Sequence, residues 1–202
     1  MRIIKMLSLS VIIFAGLISF AYGAQIPVVS VLVDADGHNY YNNPSLLIDG
    51  TIPPEGTAWN ANTSVYWTGP NSIYEDWYDH PSFILDFGAL YRIDALRVQV
   101  DNNDMYELMY STNASSWSIL YVIEISDGNV TWGMDTFDIP ASSFLAADPV
   151  DARYIEIFAI AGDGMYAVSE VQAFTNSVPE PATMLLLGIG LVGLVGVRRI
   201  RG

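Results

Sequence analysis

A group of aromatic residues between positions 66 and 78 is the part of the sequence best suited to contact a ligand. Sugar rings expose apolar C–H faces that stack on indole and phenol rings, and nearby amides and carboxylates can bond the hydroxyl groups. The predicted ring platforms are Trp67, Tyr74, Trp77 and Tyr78. The predicted polar partners are Asn71, Asp76 and His80. The alternative for any single ring is that it covers one end of a hydrophobic core.

The sequence offers few groups for catalysis. It contains no cysteine and only two histidines, His38 and His80, and neither H-x-x-x-H nor G-x-S-x-G occurs. A glycosidase pair could be hidden among the 22 acidic residues, but spacing along the chain does not identify one. The sequence therefore predicts a protein that is not an enzyme, with a glycan-active hydrolase as a remote alternative.

The charge of the central region limits the partners it can have. Residues 24–177 hold 21 of the 22 acids but only three of the eight basic residues, Arg92, Arg97 and Arg153, so this region carries a net charge of −18. Such a surface repels phosphate backbones and anionic lipid. We therefore expect no nucleic-acid partner, and we expect neutral sugars or hydrated cations instead.

The first 23 residues have the layout of a secretory signal peptide. Arg2 and Lys5 precede an apolar run, and the sequence AYG places small residues at the −3 and −1 positions before Ala24. An uncleaved membrane helix is the alternative, and either version exports the chain.

Short apolar segments separated by turns fill the region from residue 24 to residue 177. The sequence SFILDFGALYRIDALRVQV at 82–100 holds two such segments, with a break at Gly88. Further strands are predicted at 28–33, 105–111, 117–125, 135–139, 153–160 and 168–174. No convincing amphipathic helix interrupts them. The pattern predicts a single all-β domain, built as a sandwich.

The remaining parts of this domain carry weaker signals. Residues 60–81 predict a long loop, and residues 101–104 predict a polar turn. Trp59 and Trp117 are predicted to belong to the core.

Several motifs of the domain, taken in order, resemble the discoidin, or coagulation-factor type C, family. They are LIDG at 47–50, TAW at 57–59, FILDFG at 83–88, YELMYS at 106–111, RYI at 153–155 and SEVQ at 169–172. The resemblance covers roughly residues 28–175. It implies a jelly-roll β-sandwich of the galactose-binding type, a module that often binds glycans and is as a rule not catalytic. The sequence departs from the family pattern in two respects. It has extra residues around Pro53 and Pro54, and it lacks a terminal disulfide.

The resemblance also implies a structural calcium ion. Carbohydrate-binding relatives often hold calcium beside the Asp-Gly turn, and the corresponding side chains here are Asp49, Thr57 and Glu170. Calcium binds six to eight oxygen ligands, which carboxylates and carbonyls can supply together. The alternative is that Asp49 only caps a turn and that Glu170 only faces water.

The C-terminal residues 178–202 differ from the domain in composition. The sequence VPEP is followed by 16 apolar or small residues at 182–197, which predict a single transmembrane helix about 24 Å long. The tail resembles the PEP-CTERM sorting signal. Its elements would be Pro179, Glu180 and Pro181, the helix, and then Arg198, Arg199 and Arg201. A plain membrane anchor is the alternative.

The PEP-CTERM resemblance implies a Gram-negative bacterium and a membrane protease, exosortase, that processes the tail. The chain would be held in the inner membrane in transit and would then reach the cell surface or extracellular matrix. Combined with the domain, this predicts a non-enzymatic protein that binds extracellular polysaccharide in a biofilm. The alternative is a structural or adhesion protein of the matrix that binds other proteins.

Overall fold

The computed structural model describes residues 23–35, 37–69 and 81–175. The predicted signal-peptide and transmembrane helices, and the residues of the sorting signal, lie outside these ranges. Within them, no helix has the length and hydropathy needed to cross a membrane.

The described residues form strands and two short 3-10 helices. The first strands are β1 (Ala24–Gln25), β2 (Ser30–Asp34), β3 (Tyr40–Tyr41), β4 (Val65–Thr68), β5 (Ser82–Ile93) and β6 (Ala95–Asp101). The later strands are β7 (Met105–Ser111), β8 (Ser118–Ile123), β9 (Met134–Pro140), β10 (Val150–Ala161) and β11 (Met165–Thr175). The 3-10 helices are Pro44–Ile48 and Ala141–Ser143.

These strands pair into two antiparallel sheets. The first sheet has the order β3-β4-β11-β6-β9, with β1 pairing with β11 as well, and the second sheet has the order β2-β5-β10-β7-β8. The predicted all-β sandwich is therefore confirmed. The predicted strands at 28–33, 105–111, 117–125, 135–139, 153–160 and 168–174 correspond to β2 and β7 to β11.

The core lies between the two sheets and follows the period of two along each strand. Phe83 and Leu85 in β5, Leu96 and Val98 in β6, and Ile155 in β10 are fully buried members of one contiguous apolar cluster. Burying a side chain of this size stabilises the fold by roughly 1.5–3 kcal/mol. Because this cluster takes up the inner face of each strand, only the outer faces can serve other roles.

The central segment at 82–100 differs in detail from its prediction. The chain does not leave the sheet at Gly88, which has φ +74°, but continues as one strand to Ile93. The predicted break corresponds to a shift in the pairing register between β5 and β10. Asp86 pairs with Tyr154, whereas Tyr91 pairs with Ala152. Only Asp94 then separates β5 from β6, and these two strands belong to different sheets.

The predicted loop at 60–81 is wrong in part, because it contains β4. Val65 and Trp67 in β4 are buried, whereas Tyr66 between them is partly exposed, as expected for a strand with one face in the core. β4 pairs with β11 and with the short strand β3. These partner strands are distant in sequence, and pairing with them makes residues 65–68 a strand instead of part of a loop.

Candidate functional site

Trp67, one of the predicted ring platforms, lies in the core. Its side chain is fully buried, with ring centroids 5.4 Å from Phe83, 5.8 Å from Tyr166 and 6.5 Å from Tyr106. The alternation of β4 turns this residue inward, so it presents no face to a ligand. The prediction that Trp67 stacks on a sugar is therefore wrong, and the alternative of a core residue holds.

The neighbouring residue Tyr66 takes part in an aromatic group on the outside of the first sheet. The Tyr41 and Tyr66 rings stack with centroids 5.0 Å apart and planes 16° from parallel, and the Trp59 ring meets Tyr66 edge-on at 5.2 Å. Tyr41 is 51% exposed, and Tyr66 and Trp59 are partly exposed. We call Tyr41, Tyr66 and Trp59 the aromatic surface.

The backbone around the aromatic surface is fixed by hydrogen bonds. Tyr41 is paired with Tyr66 in the register of β3 and β4. The Asn42 side chain donates to the carbonyls of Ala61, at 3.0 Å, and Ser64, at 2.7 Å. Asn42 has φ +69°, a conformation that asparagine tolerates better than most residues. The rings therefore rest on an ordered support, which lowers the entropy cost of stacking a ligand on them.

Two further tryptophans differ from their prediction. Trp59 and Trp117 were predicted to be core, but both are only partly buried. Trp117 contacts the Tyr154 ring at 6.5 Å, next to the second sheet. Trp132 is the most exposed of the described tryptophans, at 67%, and the sequence did not single it out. Trp59 and Trp117 lie in or beside loops, where alternation of apolar residues does not predict which side chains are buried.

The loop after the 3-10 helix Pro44–Ile48 lies over polar residues on the outer side of the first sheet. The Gln99 amide donates to the carbonyl of Pro53, at 2.7 Å, and to the Thr136 hydroxyl, at 3.0 Å. The Ser169 hydroxyl donates to the Gln99 side chain. Gln99 and Ser169 are fully buried. The extra residues around Pro53 thus cover a row of buried hydrogen-bonding groups.

Glu170 lies in the same covered region, and its carboxylate is satisfied by neutral donors. The Gly50 amide donates to one oxygen at 3.1 Å, and the Gln172 side chain donates to the other at 3.1 Å. Burial raises the pKa of Glu170 to about 7, with the bonds from Gln172 and Gly50 opposing the rise and the charge of Asp49 adding a smaller part of it. Asp49 therefore lies close enough to Glu170 for its charge to act on that carboxylate, and Glu170 is buried instead of facing water.

Thr57, the third predicted calcium ligand, makes different contacts. Its hydroxyl donates to the carbonyl of Pro54 at 2.6 Å, and its carbonyl accepts from the Met134 amide at 2.8 Å. Across the described ranges, no three acidic, histidine or cysteine side chains are arranged to hold a metal ion. Asp49 and Glu170 are the two carboxylates that a calcium ion would need here, and its remaining ligands would have to be uncharged oxygens.

The other predicted ligand contacts lie outside the described residues. These are Asn71, Tyr74, Asp76, Trp77, Tyr78 and His80.

Among the described residues, Arg97 and Arg153 form ion pairs with aspartates. The Arg97 guanidinium contacts the Asp138 carboxylate at 2.6 Å, and the Arg153 guanidinium contacts the Asp86 carboxylate at 2.8 Å. The Arg153 guanidinium also lies 4.9 Å from the centre of the Tyr154 ring. With these cations counted, the described residues still carry a strongly negative net charge.

Residues 177–200 match a family model described as the PEP-CTERM protein-sorting motif, which confirms the predicted sorting signal. No curated protein matches this chain in sequence.

Several solved structures of carbohydrate-binding modules resemble the fold. A fucose-binding module from Streptococcus pneumoniae has a TM-score of 0.50 and 12% identity, over 76% of this chain and 96% of that one. The CBM32 of AlyQ, in complex with 4,5-unsaturated mannuronic acid, has a TM-score of 0.48 and 17% identity, over 76% and 99%. Chitosan-binding module 1 from a Paenibacillus sp. IK-5 chitosanase/glucanase has a TM-score of 0.48 and 13% identity, over 75% and 98%. The similarity to the fucose-binding module agrees with the predicted β-sandwich fold.

Proposed function

We propose that the exported sandwich binds extracellular carbohydrate and catalyses no reaction on it. The PEP-CTERM motif implies export and sorting of the chain, so the domain meets its ligand outside the cytoplasm. The fold is that of modules named for sugar binding, among them the fucose-binding module. Fold alone does not establish a ligand, so the proposal depends on a site.

The observation that carries the proposal is the aromatic surface. Tyr41 is stacked on Tyr66, so one face of its ring is held by the protein, while half of the side chain is open to solvent. An exposed phenol ring on an ordered support is suited to stack on the C–H face of a sugar ring. The net charge of −18 over residues 24–177 favours a neutral or cationic polysaccharide over an anionic one.

We propose further that residues 71–80 extend this ligand surface. Chain continuity supports this, because β4 carries Tyr66 and leads toward that segment. Trp77, Tyr74 and Tyr78 remain the proposed platforms there.

The proposed setting is the cell surface or matrix of a Gram-negative bacterium, after processing of the tail by exosortase. The sorting motif supports this setting, and polysaccharide of a biofilm is the proposed ligand.

Binding by the aromatic surface can be tested on residues 24–177 with a glycan array and with purified exopolysaccharide. We expect Tyr41→Ala to weaken binding about tenfold, equivalent to about 1.4 kcal/mol, because the stacking face is lost. Trp132→Ala is the matched control, since it removes an exposed ring from a separate loop. Unchanged affinity of Tyr41→Ala would remove the aromatic surface from the proposal.

We also propose a structural calcium ion held by Asp49 and Glu170, with Thr57 as a further ligand. The ion would supply positive charge between two carboxylates, of which Glu170 is fully buried. It would also join the first loop to β11. Calcium should raise the melting temperature and a chelator should lower it, and Glu170→Gln should abolish both effects. A melting temperature indifferent to calcium would exclude the ion.

A protein-binding role in the matrix is the second candidate. The observation that favours it is the exposure of apolar side chains on β2, on β5 and just before β2, namely Leu32, Leu90 and Val29, which are 51–69% exposed. Loss of matrix attachment in Leu32→Glu, with glycan binding unchanged, would favour this role.

A further inference from the structure

The strand β2 forms one edge of the second sheet. Among the described strands it pairs with β5 and with no other, so the amides and carbonyls on its second side have no strand to bond. An edge of this kind is a template for pairing with a strand of another chain. The five residues Ser30–Asp34 include neither proline nor lysine, the residues that commonly protect an edge.

The other edge strands of the described residues are shorter or have a further backbone partner. β1 and β3 hold two residues each. In β8, the Leu120 carbonyl accepts a hydrogen bond from the Leu145 amide, at 2.9 Å, in the loop before β10. In β9, Met134 makes backbone hydrogen bonds to Gly56 and Thr57, each at 2.8 Å. β2 is therefore the edge best able to accept a strand from outside.

The side chains of β2 place an apolar group beside this edge. Val31 and Val33 pack partly against the core, whereas Leu32 points to the opposite face of the sheet and is 51% exposed. Leu32 lies opposite Ile84 of β5, which is partly exposed as well. A second strand that carries an apolar side chain at this position would remove Leu32 from water, which is favourable.

The sequence of β2 is complementary to itself when two copies run antiparallel about Leu32. Leu32 then lies opposite Leu32 of the second copy, Val31 lies opposite Val33, and Ser30 lies opposite Asp34. Apolar residues therefore meet apolar residues on both faces of the sheet. The one charged side chain of the strand meets a hydroxyl group, which can donate to it, instead of a second carboxylate.

We propose that β2 pairs with β2 of a second copy of this chain, in antiparallel register about Leu32, so that the two second sheets join into one sheet of ten strands. The exposed Leu32 and Ile84 side chains of both copies then form one continuous apolar row. The inference does not depend on carbohydrate binding, because β2 belongs to the second sheet and the aromatic surface lies on the first.

The size and charge of the contact set its expected strength. Contact through one five-residue strand is small, so we expect weak association in dilute solution and more pairing where many copies are sorted to one surface. Residues 24–177 carry a net charge of −18 in each copy, so electrostatic repulsion opposes the approach of two copies. Salt screens this repulsion, since the Debye length falls from about 10 Å at 0.1 M to about 3 Å at 1 M. Pairing should therefore strengthen as salt is added.

Disulfide trapping in the full chain tests the pairing, because the natural sequence contains no cysteine. Purified Leu32→Cys in detergent micelles is treated with a mild oxidant. Directly opposite residues of an antiparallel pair have Cα atoms about 4.5–5.5 Å apart, a separation that a disulfide spans. We expect a disulfide-linked dimer whose yield rises with salt. Leu90→Cys is the matched control, since Leu90 is similarly exposed (59%) but lies outside β2, and its dimer yield should be at least about fivefold lower.

A mixture of two further variants tests the register. Ser30→Cys should not link to itself, because the two cysteines would lie about 13 Å apart along the paired strands, and the same holds for Asp34→Cys. Mixed together, these two variants should form a linked dimer, which a size tag on one of them identifies. The mixture also decides the question should Leu32→Cys fail to fold.

Equal dimer yields for Leu32→Cys and Leu90→Cys, or no gain on mixing Ser30→Cys with Asp34→Cys, would overturn the proposal. In cells that produce and export the Leu32→Cys chain, we expect a disulfide-linked product of twice the mass of the chain. Linkage to other proteins in place of that dimer would also overturn the proposal, because β2 would then accept a foreign strand.

Discussion

The two faces of the first sheet serve different purposes, although the same strands form both. On the inner face, Trp67, Val98 and Val100 are fully buried among apolar neighbours. On the outer face, Tyr66 belongs to the aromatic surface, and Gln99 and Asp101 lie in buried polar groups. The inner face therefore contributes stability, whereas the outer face holds the groups that can respond to ligands or to pH.

The largest expected effect comes from the inner face. Trp67→Ala should lower the free energy of unfolding by about 3–5 kcal/mol, because it removes a large ring from a fully packed site. Denaturant unfolding measures this difference. Tyr66→Ala, one position away on the outer face, is the control and should cost clearly less. Equal losses in the two variants would contradict the division between the faces.

A smaller effect is expected where the β10–β11 turn touches Asp104. A Cβ atom on Gly162 would lie 1.8 Å from an Asp104 oxygen, so Gly162→Ala must displace that carboxyl. We expect a loss of about 1–3 kcal/mol by chemical unfolding. Gly37→Ala is the control, because it also has positive φ but a Cβ there meets no atom within 4 Å. A smaller loss for Gly162→Ala than for Gly37→Ala would show that Asp104 does not hold this turn.

The smallest expected effect belongs to the second sheet, at the Arg153–Asp86 pair. The Arg153 guanidinium lowers the pKa of Asp86, so the pair adds stability above the ordinary value of 3.8 and loses it as the pH falls through the lowered value. Asp86→Asn should therefore be less stable than the wild type at pH 7, and the difference should shrink toward pH 2. Thermal unfolding across this range measures the change, and a difference that stays constant would show that the ion pair contributes nothing.

The inner face could be predicted from the sequence far better than the outer face. Alternation of apolar residues identifies most strands, since burial on one face requires a period of two. β4 is only four residues long, too short for this signal, and its neighbours Asn, Ser and Gly favour a loop. The sequence therefore predicts a ligand surface for Trp67, although β11 and Phe83 enclose it.

The outer face depends on contacts between distant residues, which a single sequence does not reveal. The four residues at 101–104 predict a polar turn, yet Asp101 and Asp104 are buried. The Asp163 amide that meets Asp104 lies 59 residues further along the chain. The aromatic surface likewise joins Tyr41 and Tyr66, which only the pairing of β3 with β4 brings together.

The most direct test of carbohydrate binding is an NMR titration of residues 24–177 with the oligosaccharide that the glycan array selects. The account predicts that the ring signals of Tyr41 shift most among the described aromatic residues, with smaller shifts for Tyr66 and Trp59. It also predicts that the Trp67 ring signals stay unchanged, because that ring is fully buried. Saturable binding without any shift at Tyr41, Tyr66 or Trp59 would contradict the account.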